Sequence, residues 1–307
     1  VISTPTGVLL GHLTPGTPEW DEARAGLTVT ATEIAAIVGL SPYQSHFSLW
    51  HKKSGLPAPA WVDNPAAEWG NRLEDAVATK WADNHPSVIP CPTGTWRHAD
   101  RAWQRATPDR LIHPAPVDIL TPTGPTAVLE IKTSPFGDDW GPSGTDEIPV
   151  HYRCQILWQQ DTLGLTAPAH LAVLIGGWDY REYTVEYDEG DARTLRRAAE
   201  AFLDEVEHGI RPPIDGSDAT YQTIRVQPDG LTDTDVQVPA EDAAAYEAAQ
   251  AGARKAADEL QRTRGVLLDH IGTGRRAVVG ERRIAYRTVR NGETHSLHPY
   301  TSKDTAA

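Results

Sequence analysis

The apolar run Ala127-Val128-Leu129 passes directly into Glu130-Ile131-Lys132. Such a run reads as a buried strand. In a strand, side chains two apart share a face. Glu130 and Lys132 therefore point at one spot, a carboxylate suited to a metal ion beside an ammonium suited to a water or a phosphate. Of the six lysines in the chain, only Lys132 has a glutamate two residues before it. The bland alternative is an edge-strand ion pair contributing about 0–1 kcal/mol. The neighbours in the sequence decide between the two.

The 307 residues suffice for one large or two modest domains with a substantial core. Hydrophobic residues make up 39% and charged residues 23%, the balance of a globular protein. The longest strongly apolar run, Leu171 to Gly177, is too short to span a bilayer. The first twenty residues lack the basic start and apolar block of a signal peptide, so the expected location is the cytoplasm, that of the host if a phage encodes the chain. Two cysteines, Cys91 and Cys154, exclude a disulfide framework and a four-cysteine metal site. The net charge of −14 argues against a generally adhesive nucleic-acid binder. A local basic groove or bound cations still allow a phosphate-cutting enzyme.

Residues 1–20 read as an irregular arm. Thr30-Ala31-Thr32-Glu33 has the form of a capping box opening a short helix. Ala66 to Asn84 is a long amphipathic helix with Trp69, Leu73, Val77 and Trp81 as its core stripe. Glu74 stands about 100° round from that stripe, able to border the core and reach a cleft. Trp103–Thr107 and Ala127–Lys132 are expected strands, and Val150 to Leu163 a helix with Tyr152, Gln155, Ile156 and Gln159 on one face. Strands at 170–175 and 181–187 form a hairpin, followed by a helix over 191–209. The composition shifts after Arg211-Pro212-Pro213. The expected organisation is a domain over 1–211, a linker or loose extension over 212–239, and a C-terminal helix with a basic β-hairpin over 240–307. Ala240 to Ile271 is its alanine-rich helix, and Asn291-Gly292 the hairpin turn.

Cutting a phosphodiester needs one or two hard divalent cations held by carboxylates. Asp109, Glu130 and Glu74 are the candidate ligands, and their carboxylates are expected to converge with Lys132 alongside. Gln155, from the next helix, is placed to hold the phosphate or a water. There is no Gly-x₄-Gly-Lys-Ser/Thr loop for ATP, and no Gly-x-Ser-x-Gly elbow.

The chain resembles the YqaJ/lambda-exonuclease branch of the PD-(D/E)XK nucleases, phage-type recombination exonucleases. Residues 30–43, Thr-Ala-Thr-Glu-Ile-Ala-Ala-Ile-Val-Gly-Leu-Ser-Pro-Tyr, are similar to its N-terminal signature, continued by Leu49-Trp50 and Lys53-Ser54-Gly55. Trp69-Gly70-Asn71-Arg72-Leu73-Glu74 resembles its glutamate helix. Thr107-Pro108-Asp109 and Leu129-Glu130-Ile131-Lys132-Thr133 resemble its core motif, and Ile148-Pro149 with Tyr152-Arg153-Cys154-Gln155 its tyrosine–glutamine helix. The resemblance covers roughly residues 24–190.

It implies an α/β (α+β) PD-(D/E)XK core, a mixed central sheet flanked by helices. It implies one or two Mg²⁺ or Mn²⁺ ions on Asp109, Glu130 and Glu74, with the main chain of Ile131 as a further ligand, and Glu74, Asp109, Glu130, Lys132 and Gln155 as catalytic residues. It implies 5′-to-3′ degradation from double-stranded DNA ends, leaving 3′ single strands. A single-strand annealing protein as partner and a ring-shaped homo-oligomer, such as a trimer, complete the expectation. Arg24 and Thr32 are candidates for a 5′-phosphate pocket by position, with Tyr152 also near DNA. Trp140, in the loop after the active strand, is the tryptophan expected to touch DNA. Asp118, in Pro116-Val117-Asp118-Ile119, lies closer to Glu130 and rivals Asp109, although Thr-Pro-Asp-Arg-Leu matches the motif. An endonuclease or nickase of the same fold, and a non-catalytic DNA-end-binding protein, remain as alternatives. The six C-terminal arginines from Arg275 to Arg290 read equally as a solvated hairpin face or as a DNA or partner patch.

Overall fold

The computed structural model describes residues 3–59, 65–115, 124–226 and 232–300. The first elements are β1 (Gly7–Gly11), α1 (Pro18–Glu22), β2 (Val29–Thr30), α2 (Ile34–Ile37), α3 (His46–Lys53) and α4 (Pro65–Asn84). Then come β3 (Val88–Pro92), β4 (Thr95–His98), β5 (Gln104–Ala106), β6 (Arg110–Pro114), β7 (Ala127–Ser134) and α5 (Val150–Leu163). β8 (Ala169–Ile175), β9 (Asp179–Val185), α6 (Glu189–Glu207) and α7 (Asp218–Arg225) follow. Last are α8 (Ala240–Ile271), β10 (Arg276–Val279), β11 (Arg282–Arg290) and β12 (Glu293–Pro299). The chain divides into two units, 1–229 and 230–307.

The first unit is built on a five-stranded mixed sheet in the order β3-β6-β7-β8-β9. β7 and β8 are parallel, while the other pairs are antiparallel. Parallel neighbours cannot be joined by a tight turn, and α5 makes the crossover. The alternation along β7 sorts its side chains into two layers. Ala127, Leu129 and Ile131 pack with Val77, Ala78 and Trp81 of α4. Val128 joins Ile156 and Leu163 of α5 on the opposite side. Glu130 and Lys132 share the face of Val128 and so look toward α5.

A second sheet, β1-β4-β5-β2, lies outside the first. β1 falls within the stretch expected to be an irregular arm. Its partner, β4, is some ninety positions away in the sequence, with Leu9 paired to Trp96, so no local signal marks it. β2 runs parallel to β5, Val29 against Gln104. This pairing anchors α2 and α3 in a cluster with Trp158 of α5 and Phe202 of α6. The capping box of residues 30–33 forms by half. Glu33 accepts from the Thr30 amide at 2.9 Å, but the Thr30 hydroxyl meets Thr32 rather than capping the helix. The stretch read as a linker includes α7, capped by Ser217 and tied to α3 through Thr220 and Ser45 at 2.7 Å.

Trp69 departs from its expected place in the core, being 61% exposed. The buried residues of α4 are Val77, Ala78 and Trp81, all in its second half. Periodicity identifies the inward face of a helix but not how far the sheet beneath it reaches. Among the described residues no helix is long and apolar enough to cross a membrane. Leu129→Ala, which empties a fully buried position between α4 and β7, is expected to cost about 2–5 kcal/mol. Trp69→Ala should stay within about 0.5 kcal/mol. Urea denaturation of both variants checks the assignment, and a large loss for Trp69→Ala would contradict it.

Candidate active site

Asp109 stands immediately before β6, where Arg110 pairs with Leu129. Its Oδ2 accepts the Ile131 amide at 2.7 Å, which fixes its carboxylate beside Glu130. Glu130 is 1% exposed, and a carboxylate so buried requires donors. It has three. Lys132 and Gln155 donate to Oε1, and Gln159 donates to Oε2 at 2.8 Å. Gln155 and Gln159 are successive turns of one α5 face. The 150–163 periodicity had placed Gln159 on that face, but only the three-dimensional contact gives it a partner.

Glu74 is brought to the border of this group by α4. Gly70, one turn earlier, allows the helix to come close to the end of β7, because a Cβ there would stand 3.3 Å from the Thr133 hydroxyl. Glu74 does not complete a three-carboxylate cluster. Its Oε1 is paired with Arg110 at 2.5 Å, and the same guanidinium holds Asp75. Among the described residues, no group of three or more His, Cys, Asp or Glu side chains has metal-holding spacing. Asp109 lies within the field of Glu130, while the buried Arg110 of β6 holds Glu74. Asp118 lies outside the described residues.

The electrostatics follow from burial and crowding. Burial first, then the field of Glu130, pushes the Asp109 carboxyl up to about 8, with Glu74 adding to the effect and Lys132 opposing it. For Lys132, burial opposes the charge, but Glu130 and Asp109 outweigh it and hold the ammonium above its ordinary range. Lys132 is therefore a donor and not a base at neutral pH. Burial also raises the Tyr152 phenol, whose ring lies 5.2 Å from Lys132 Nζ. The His151 imidazole is lowered by burial and by Lys132. The donor chemistry here, hard carboxylate oxygens crowded enough to hold a proton, fits a hard divalent cation of the Mg²⁺ or Mn²⁺ class.

Lys132, Tyr152 and Gln155 open into a cavity of about 220 Å³, which Thr32, Ser41, Tyr43 and His151 also line. The N-terminal signature therefore meets the β7–α5 group at one opening. Arg24 donates to the Thr32 hydroxyl at 3.1 Å, so these two lie together at its edge. Trp140 is corrected. It is 7% exposed, stacked on Tyr152 at 5.6 Å and against Tyr183 at 5.5 Å, and has no free face for a base. The loop that carries it folds back because the indole buries a large apolar area there.

Residues 19–164 match the family model of the YqaJ-like viral recombinase domain. The matched segment makes up a little under half of the chain. It contains Arg24, Glu74, Asp109, Glu130, Lys132, Gln155 and Gln159 and ends at the C-cap of α5. The uncharacterized protein YqaJ of Bacillus subtilis (strain 168) is 29% identical over 215 residues, 67% of this chain and 62% of that protein. The chain thus spans 62% of the length of that relative. Among solved structures, the chain is similar to the alkaline exonuclease LHK-Exo from Laribacter hongkongensis, at 21% identity over 63% of this chain and 94% of that one, with a TM-score of 0.48. A phage related exonuclease from Haemophilus somnus 129PT is 12% identical over 60% of this chain and 96% of its own, with a TM-score of 0.42.

The raised Asp109 carboxyl ties stability to pH. Without divalent cations the folded chain keeps this proton up to about 8, whereas the ordinary carboxyl loses it near 3.8. The folded state binds the extra proton between those values, so Asp109's contribution is greatest at the acid end and is lost as pH rises through about 8. In chelator, the thermal midpoint of the parent should fall more steeply between about pH 6 and 8 than that of Asp109→Asn. Equal slopes in a scanning-fluorimetry series would remove Asp109 as the source.

Proposed function

We propose that this chain is a metal-dependent deoxyribonuclease that degrades duplex DNA from an end, 5′ to 3′, and leaves a 3′ single strand for recombination. The observation that carries the proposal is the convergence of Asp109, Glu130 and the charged Lys132 beneath one opening shared with Gln155 and Thr32. The match to the YqaJ-like viral recombinase domain, which spans all of them, supports the same reading.

Asp109 and Glu130 would hold Mg²⁺ or Mn²⁺, with Glu74 and the main-chain oxygen of Ile131 as further ligands. When bound, such an ion polarises the scissile phosphate and lowers the pKa of a water. Lys132 donates to that water or to a phosphate oxygen and stabilises the charge that develops in the transition state. The fields of Glu130 and Asp109 keep the amine protonated, which excludes a base role for it. Gln155 links Glu130 to the cavity and orients the group that enters it. Gln159 holds the far oxygen of Glu130, so that the carboxylate keeps one orientation. Glu74 becomes available as Arg110 shifts toward Asp75, which it already contacts. Arg24 and Thr32 belong to the side of the opening where a terminal phosphate would sit. A single-strand annealing partner and a ring-shaped homo-oligomer belong to the same proposal.

Linear duplex incubated with Mg²⁺ should be shortened, and chelator should stop the reaction. Intact duplex in Mg²⁺ would sink the enzyme reading, and cutting of closed circles would favour an endonuclease. Lys132→Ala is expected to lower the cleavage rate by about 10²–10³-fold or more while DNA binding persists. Gln159→Leu should raise the Mg²⁺ concentration for half-maximal cleavage by about 10–100-fold. An unchanged Mg²⁺ requirement would leave Gln159 as a packing residue.

A further inference from the structure

The second unit carries a surface that the nuclease reading does not use. Residues 271–300 hold six arginines against two glutamates, in a chain whose net charge is −14. The register of β10, β11 and β12 sets one of these arginines in a row with two rings. Arg276 pairs with Tyr286, and Tyr286 pairs with His298. Cross-strand partners share a face, so these three side chains cross the sheet in one line. The opposite face holds Ala285 and Leu297, 3% and 7% exposed, and that face is the buried one. Arg276 and His298 are exposed, and Tyr286 is half-buried between them.

The row is ordered by its own contacts. The Tyr286 and His298 rings stack at 5.4 Å and 28°. Tyr300 joins them, 5.0 Å from Tyr286, and its hydroxyl accepts from Arg276 Nε at 3.2 Å. The Arg283 guanidinium lies 5.7 Å from the Tyr300 ring. Planar rings interleaved with guanidinium groups on a three-stranded sheet suit unpaired bases and the phosphates between them. A duplex keeps its bases stacked inside and offers such rings nothing to stack on.

We propose that the Arg276–Tyr286–His298 face of the second unit binds single-stranded DNA. Arg276 and Arg283 meet the phosphates, and the exposed His298 ring, backed by Tyr286, provides the stacking surface for bases. The inference goes beyond the nuclease reading and stands without it, because these residues lie outside residues 19–164 and binding requires no cleavage.

The test uses the full chain in chelator and a fluorescein-labelled oligo(dT) of about 20 nucleotides, a length above the site size of a small single-strand-binding fold. Fluorescence anisotropy reads the affinity. Arg276→Glu and Tyr286→Leu should each weaken binding about 10-fold, with circular dichroism confirming a folded chain. His298→Ala, at an exposed position, should weaken it without risk to folding. Arg276→Ala should also flatten the salt dependence, lowering the slope of log K against log salt by about 0.7. Unchanged affinity in both Arg276→Glu and His298→Ala would overturn the proposal. So would an equal loss of affinity for a duplex of the same length, or competition by poly-glutamate as effective as that by unlabelled oligo(dT). Because no cation is present, a failed nuclease assay leaves this outcome untouched.

Discussion

A carboxylate removed from water must be surrounded by donors, and Glu130 meets that requirement with groups from two elements. Lys132 comes from its own strand, and Gln155 and Gln159 come from the crossover helix. The helix has to lie over β7 in one rotation for both amides to reach. The parallel pairing of β7 with β8 fixes where that helix runs. The polar group at the centre of the site is therefore also a constraint on the packing of its layers. Removing Gln159 would strip Oε2 of its donor, and removing Lys132 or Gln155 would leave Oε1 with one donor of two.

The same arrangement sets the charge state of the site. Burial, and then the field of Glu130, keep the proton on Asp109 to an unusually high pH. Lys132 experiences the reverse influence and stays charged. Crowded carboxylates and a fixed ammonium form an environment in which a hard cation would be stabilised and a proton displaced. Arg110 adds a further control by holding Glu74 at the edge of this group. An acidic chain can thus place a charged lysine at an opening without a basic surface around it.

The N-terminal signature reaches the opening by a separate route. β2 pairs with β5, and the short helices that follow pack on α5 and α6. Thr32 and Tyr43 arrive beside Lys132 because of that pairing, not because of proximity in the chain. The second unit, in contrast, has its positive charge concentrated on a small sheet.

Much of this was legible in the residues. The alternation of Ala127 to Lys132 determined that Glu130 and Lys132 share a face, since the pleat of a strand allows no other result. The 3.6-residue pattern determined α5 over Val150–Leu163 and α8 over Ala240–Ile271, and Asn291-Gly292 determined the last turn, with both residues at positive φ. Other features depended on partners distant in sequence. β1 is a strand only because β4 lies beside it, and Trp140 is buried only because Tyr152 and Tyr183 close around it. Glu74 is held by Arg110, and Gln159 has Glu130 to hold. Periodicity assigns a side chain to a face. Which group it meets there is decided by packing between elements, and that information is spread along the whole chain.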